Sequence, residues 1–336
     1  TASPAPTAAA RCPVADGAAR LQRVHDYPAL LAEAWAQHLA PRDANAPTVI
    51  STFAGCGGSS LGYSMAGFRE LLAVEWEQNA ADTFRLNFPH VPMYHGDIAK
   101  LSVEECLQRA GIAPGELDVF DGSPPCQGFS TSGKREMGDQ RNQLFREFVR
   151  LLLGLRPRAF VMENVSGMVK GDFKVIFAEI LRTLKACGYR VKVRLLNAMF
   201  YGVPQSRERM IFVGVRDDLD VEASHPSGWS EPMVAADALP ITSLDLDTKG
   251  QFAKLNINVR RKVFPTITKG NHYHLKADFG AGKRKLTTAE VQTVGSFPAG
   301  FKFHGAPSLA WQRIGNSVPP LLMRSIARHV RTLIAR

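Results

Sequence analysis

Cysteine is scarce in this chain: five among 336 residues, at Cys12, Cys56, Cys106, Cys126 and Cys187. The number is odd, the spacing is wide, and no Cys-x-x-Cys pair occurs. That excludes a disulfide framework and a cysteine zinc cluster, and points to a reducing, cytoplasmic compartment. Long apolar runs are missing as well; none approaches the roughly 20 residues of a membrane-spanning helix. The opening Thr-Ala-Ser-Pro-Ala-Pro has neither the basic end nor the apolar centre of a secretory signal. It also lacks methionine, as an internal piece of a longer protein would. His272-x-His274 has no third clustered ligand, so no metal is expected. Acids are few: 31 against 41 Lys plus Arg, a net charge of +10. Basic proteins of this size often meet a polyanion.

What is present reads as a soluble globular protein, 45% hydrophobic, with a proper core. Residues 1–19 are rich in Ala and Pro and predict a disordered tail. Residues 20–47 predict a short amphipathic helix, from Leu21, Val24, Leu30, Leu31, Trp35 and Leu39, and then a linker. Strands are predicted at 49–53, 71–75, 119–122, 159–163, 190–196 and 210–215. Helices are predicted at 59–66, up to 87, 143–153 and 173–186. Such alternation implies an α/β fold with a doubly wound, mostly parallel, Rossmann-like sheet over residues 48–215. The pattern breaks after Val215. Residues 216–283 read as a smaller domain of irregular structure, and residues 284–336 return to helix at 289–294 and 321–334. Between 249 and 285 ten Lys and Arg residues face a single acid, Asp278, which suits a surface that tracks phosphates.

The chemistry-bearing residues fall at predicted strand ends. Residues 121–130 read Asp-Gly-Ser-Pro-Pro-Cys-Gln-Gly-Phe-Ser. They put the Cys126 thiol at a strand's carboxyl end, on a turn stiffened by two prolines. Phe53-Ala54-Gly55-Cys56-Gly57-Gly58 is a glycine turn opening a helix. It suits nicotinamide cofactors, flavins and S-adenosylmethionine alike. Glu75, ending the next strand, can accept ribose hydroxyls, and Trp76 can cover an adenine face. Asp97 could meet an adenine amino group. Glu163, in Glu-Asn-Val, ends the strand after Cys126. A thiolate adds to an electron-poor ring when a nearby acid relieves the charge on the ring nitrogen. Arg207 and Arg209 lie at i and i+2 of a predicted strand and should point the same way, toward a thiolate, a carbonyl or a phosphate; an ion-pair ladder with Glu208 is equally open. Gly315-Asn316-Ser317-Val318-Pro319-Pro320 reads as a turn and a helix start.

In this order the segments resemble the cytosine-C5 DNA methyltransferase family, of the bacterial restriction-modification type. The resemblance rests on six of them: Phe-Ala-Gly-Cys-Gly-Gly, Gly-Ser-Pro-Pro-Cys-Gln-Gly-Phe-Ser, Glu-Asn-Val, Tyr-Gly-Val-Pro-Gln-Ser-Arg-Glu-Arg, Arg-Lys-Leu-Thr-Thr-Ala-Glu and Gly-Asn-Ser-Val-Pro-Pro. It runs from Val49 to about Ile334. It implies that Cys126 attacks cytosine C6, that Glu163 contacts the ring at N3 and the amine, and that Arg209 and Arg207 hold base and adduct. The implied cofactor is S-adenosylmethionine, held by Phe53, Gly55, Cys56, Gly57, Gly58, Glu75, Trp76, Asp97, Ile98, Pro125, Leu144, Asn316 and Ser317. The implied partner is duplex DNA. It would meet Gln127, Ser130, Ser132, Lys134 and Arg135 of a closing loop, and Arg260, Arg261, Lys262, Thr266 and Lys269 of a recognition domain over residues 216–283. A monomer is expected, together with a cognate restriction endonuclease acting on the same site and association with the nucleoid through DNA. The target base must leave the stack before a thiol can reach it. Rival readings are a tRNA cytosine-C5 methyltransferase of the same architecture, a nicotinamide oxidoreductase and a non-enzymatic DNA-binding scaffold. The first 47 residues stand apart from the resemblance, and the recognition segment is short for the family.

Overall fold

The computed structural model describes residues 26–125, 143–169, 173–246, 255–270 and 275–335. Helix α1 (Tyr27–Leu39) starts at Asp26, whose side chain accepts the Ala29 N–H at 2.9 Å. Seven strands follow in one sheet: β1 (Thr48–Thr52), β2 (Arg69–Glu75), β3 (Met93–His95), β4 (Val119–Gly122), β5 (Ala159–Val165), β6 (Tyr189–Asn197) and β7 (Glu208–Arg216). Their spatial order is β3-β2-β1-β4-β5-β7-β6. All pairs from β3 to β5 are parallel, and β7 runs antiparallel to both β5 and β6. The chain leaves β1 toward β2 and later returns to β1's other side as β4. The strand order therefore reverses between β1 and β4, and a crevice opens at such a point in open α/β sheets.

The strands are apolar on both faces because both are covered, as parallel sheets require. Val49, Val119 and Val161 point into one layer, with α2 (Gly58–Met65), α3 (Gln78–Asn87) and α1. Ile50, Phe120 and Phe160 point into the other, with α4 (Val103–Ala110), α5 (Gln143–Leu155) and α6 (Phe173–Ala186). Beyond β7 come α7 (Ala235–Ala238), β8 (Ser243–Leu246), β9 (Leu255–Ile257), β10 (Leu275–Asp278) and β11 (Lys283–Lys285). The chain then ends in α8 (Thr288–Val294), α9 (Pro307–Asn316) and α10 (Pro320–Leu333). Among the described residues no helix is long and apolar enough to cross a membrane.

Two expectations are corrected. The segment after Val215 is not irregular: β8 to β11 form an antiparallel sheet in the order β11-β10-β8-β9. Its strands hide from a sequence reading because they are three or four residues long, and β11 is Lys-Arg-Lys, exposed throughout. β11 also straddles the boundary drawn at residue 283. Gly315 and Asn316 are the last turn of α9, not a loop. The helix expected before residue 40 is present as α1 and packs on the core: Tyr27 and Ala34 are fully buried, and the Tyr27 hydroxyl donates to the Thr293 carbonyl at 2.9 Å.

A polar cluster lies beneath β1. The Tyr63 hydroxyl donates to Asp121 at 3.2 Å, and the Ser60 hydroxyl donates to Glu70 at 2.9 Å. Burial pushes the Glu70 carboxyl up to about 7, with the Ser51 and Ser60 hydroxyls opposing, and raises Asp121 well above its ordinary range. A raised folded pKa means that the fold favours the protonated form. Stability from Glu70 is therefore complete below the ordinary carboxylate range and is lost as pH rises through about 7. Glu70→Gln removes the ionisation and keeps an acceptor for Ser60. We expect it to stabilise the protein by about 1–3 kcal/mol at pH 8 and to make no difference near pH 4. Urea unfolding at both pH values measures this; a variant no more stable than wild type at pH 8 contradicts it.

Candidate active site

The crevice between β1 and β4 is shaped by the glycine turn. Phe53 (φ 54°), Gly55 (58°) and Gly57 (96°) all take left-handed backbone, and a non-glycine residue there is strained. Gly57 caps α2 with no side-chain oxygen, so the helix offers its amino end to an anionic ligand group. The turn is held from below by the buried Glu75 carboxylate. Oε2 accepts the Gly55 N–H at 2.7 Å, and Oε1 accepts those of Trp76 and Glu77 at 3.0 and 2.9 Å. Hydrogen bonds to a carboxylate are stronger than neutral ones, so Glu75 fixes the turn firmly. Trp76 stands 77% exposed at the rim. Asp97 caps a 3₁₀ turn through the Ala99 N–H at 3.0 Å. Ile98 is buried, and Leu144 packs half-buried with Phe53 against the same core layer.

The far wall comes from the chain's last quarter. The Ser317 hydroxyl donates to the Arg313 carbonyl at 2.7 Å, so at the 3.1 Å Cys56–Ser317 contact the Cys56 thiol is the donor. Burial raises that thiol to about 11, which keeps it protonated and structural. A Cβ on Gly58 would stand 2.5 Å from the Val318 carbonyl oxygen, so only glycine lets the walls meet. Together Phe53, Gly55, Ser59, Ser123, Arg313 and Asn316 border a cleft. Arg313 was not singled out in the sequence. It is buried, and it pairs with Glu77 across the cleft. Its signal was a lone charge inside the apolar helical stretch Ala310, Trp311, Ile314.

The catalytic candidates sit next door, at the carboxyl ends of β4 and β5. Asn164 donates to the Pro124 carbonyl at 3.1 Å and so steadies the turn that leads to Cys126. Pro125 is exposed. Cys126, Gln127, Ser130, Ser132, Lys134 and Arg135 lie outside the described residues, as do His272 and His274. Glu163 accepts a short ion-pair contact from Arg209 Nε at 2.6 Å, and both side chains are largely shielded. Arg207 does not join them. It precedes β7, is 2% accessible, and donates to the Ile267 and Gly315 carbonyls at 2.9 and 3.0 Å. The two arginines differ in their partners: Arg209 pairs with Glu163, whereas Arg207 bonds backbone carbonyls, with Arg209 and Glu163 near enough to act on its charge. Arg260, Arg261, Lys262 and Lys269 are exposed; Thr266 is half-buried and its hydroxyl donates to the Ser206 carbonyl.

This sheet order, with its cleft at the switch point, defines the Rossmann-like methyltransferase fold. A solved DNA modification methyltransferase from an E. coli prophage superposes with a TM-score of 0.68 at 23% identity, covering 87% of this chain and all of that one. The solved DNMT2 of Spodoptera frugiperda follows at 0.66 and 18%, with 87% and 100% covered. The model of the C-5 cytosine-specific DNA methylase family matches residues 47–279 and 246–332. In sequence the chain is 34% identical to the Type II methyltransferase M1.HphI of Haemophilus parahaemolyticus, over 84% of this chain and 86% of that protein. It is 30% identical to M.NgoPII of Neisseria gonorrhoeae, over 89% and 100%. The chain belongs to the C-5 cytosine-specific DNA methylase family and is a DNA cytosine-5-methyltransferase.

Proposed function

We propose that the protein moves a methyl group from S-adenosylmethionine to C5 of a cytosine flipped out of a specific duplex site, through a transient Cys126–C6 bond, as part of a Type II modification system. The observation that carries this reading is the shielded Glu163–Arg209 pair beside the turn that leads to Cys126. The cleft residues fit the cofactor. A side chain added at Gly55 would meet nothing within 4 Å, the amino end of α2 carries no side-chain cap, and Trp76 offers a free ring at the rim. Bound there, the cofactor supplies an electrophilic methyl group on sulfur. Glu75 holds the cradle, while Asn316 and Ser317 close it.

The protein's own groups do the rest. The Cys126 thiolate adds to C6, and Glu163 hydrogen-bonds or protonates N3 so that the ring can take the electron pair. C5 becomes nucleophilic and takes the methyl group. Loss of the C5 proton then restores the double bond and expels the thiolate. Arg209 holds Glu163 and the base in register. Unstacking the base costs a few kcal/mol, which contacts from Arg260, Arg261, Lys262 and Lys269 to phosphates offset.

Duplex DNA with 5-fluorocytosine at its methylation site tests the reading, because fluorine cannot leave as the proton does. Incubated with protein and S-adenosylmethionine, it is expected to become bonded to Cys126, giving a complex stable to denaturation and a labelled peptide in mass spectrometry. A label on another residue, or no trapped complex, overturns the assignment. tRNA offered instead is expected to take no methyl group. Bisulfite sequencing of plasmid from expressing cells gives the site.

A further inference from the structure

Arg207 bonds to segments from both sides of the site. Nη1 donates to the Ile267 carbonyl at 2.9 Å, in the segment 264–269, where Phe264 and Ile267 are buried, Thr266 is half-buried and Lys269 is exposed. Nη2 donates to the Gly315 carbonyl at 3.0 Å, one residue before Asn316 and two before Ser317 of the cofactor wall. Two residues along its own chain is Arg209, paired with Glu163. The surroundings make this joint stiff. Ser206 N–H donates to the Phe264 carbonyl at 2.8 Å, Ile267 N–H to Gln205 at 3.1 Å, and Trp311 Nε1 to the Thr268 carbonyl at 3.1 Å. A Cβ on Gly315 would stand 2.5 Å from the Lys269 nitrogen, so the two segments touch through backbone. Among the described residues no carboxylate is in ion-pair contact with Arg207, although Glu163 acts on its charge from farther off. Its cation rests on carbonyls, and its Nε is buried without a hydrogen bond. Burying a cation in this way carries a penalty that a neutral amide would avoid. Packing alone does not call for it.

We propose that Arg207 is a positioning residue that couples the cofactor cleft to the DNA-facing segment 264–269, so that filling either one strengthens binding at the other. The proposal rests on the function proposed above. A ligand on the Asn316–Ser317 wall biases where Gly315 sits. Arg207 passes that bias to Ile267. By linkage the effect is reciprocal.

The test is calorimetric binding of S-adenosylhomocysteine, alone and with a duplex carrying the site found by bisulfite sequencing. Wild type should bind it at least about fivefold more tightly when the duplex is present. In Arg207→Met that ratio should fall to about one, and in Arg207→Lys to an intermediate value. Arg209→Lys, which leaves the joint intact, should keep the wild-type ratio while losing turnover. A variant that melts lower but keeps the full ratio would assign Arg207 a structural role only and overturn the proposal; so would a wild-type ratio of one. Should Arg207→Met not fold, Gly315→Ala, which presses on Lys269 from the other side of the joint, is read in its place, and a wild-type ratio there also overturns it. Wild-type protein that binds no S-adenosylhomocysteine at all would sink the function itself, a distinct result.

Discussion

Glu163→Gln protein is expected to fold normally and to methylate DNA about 10²–10⁴-fold more slowly than wild type. Glutamine keeps the size of the side chain and still accepts from Arg209 Nε, now 2.6 Å from Oε1, so the neighbourhood should survive. What is lost is the charge and the mobile proton. Without them, the negative charge that thiolate addition sends into the ring has no acid to meet it. The loss should fall on kcat, because the base is bound by the same shape and the same Arg209. Arg209 also donates to the Glu208 carbonyl at 2.7 Å and therefore stays tethered. Single-turnover rates with labelled methyl donor, set beside duplex binding, separate chemistry from affinity. Wild-type turnover in this variant would remove Glu163 from the reaction.

The largest effect on stability is expected at a glycine. Gly62 sits in the middle of α2 and faces α10. A Cβ there would stand 2.5 Å from Met323 Cβ, 2.7 Å from the Pro320 carbonyl oxygen and 2.8 Å from the Arg324 nitrogen. Two of those three neighbours are backbone and cannot swing aside. Alanine would gain about 1 kcal/mol of helix propensity but would force the helices apart. Overpacking of this kind costs about 1–3 kcal/mol, and Gly62→Val should reach or exceed the upper end. In a chain of this length a loss of about 3 kcal/mol corresponds to a fall in Tm of roughly 4 °C. Because Pro320 follows the Asn316–Ser317 wall closely, S-adenosylhomocysteine affinity should fall with stability. An unchanged melting curve would mean that α10 is not pinned to α2.

The central sheet was legible wherever strands are apolar on both faces and bounded by glycine or acid. β4 and α6 fall at the residues expected, and β1, β2, β5 and β7 fall within three residues at either end. β3 was not legible, because three residues at a sheet edge carry no period. α4 was missed for a different reason: Cys106 is its one fully buried residue, and its other side chains are mostly charged or half-exposed. The small sheet was read as irregular because burial there falls on single residues such as Leu244, Leu275 and Ala277, which need partners far along the chain to make a core. At the site, the resemblance named both cleft walls. It did not give the contacts between them. Arg207 illustrates the limit: two arginines two apart look alike in sequence, yet one ends against Glu163 and the other is sealed between backbone carbonyls.

The Cys56–Ser317 contact joins residues 261 positions apart. A ribosome adding about 5–20 residues per second needs roughly 13–52 s to travel that distance. During that interval α2 waits with its glycine face uncovered, since α10 has not been made. A nascent or prematurely stopped polypeptide therefore has only one wall of the cleft. The cleft is complete only once the segment carrying Arg313, Asn316 and Ser317 has docked against the glycine turn.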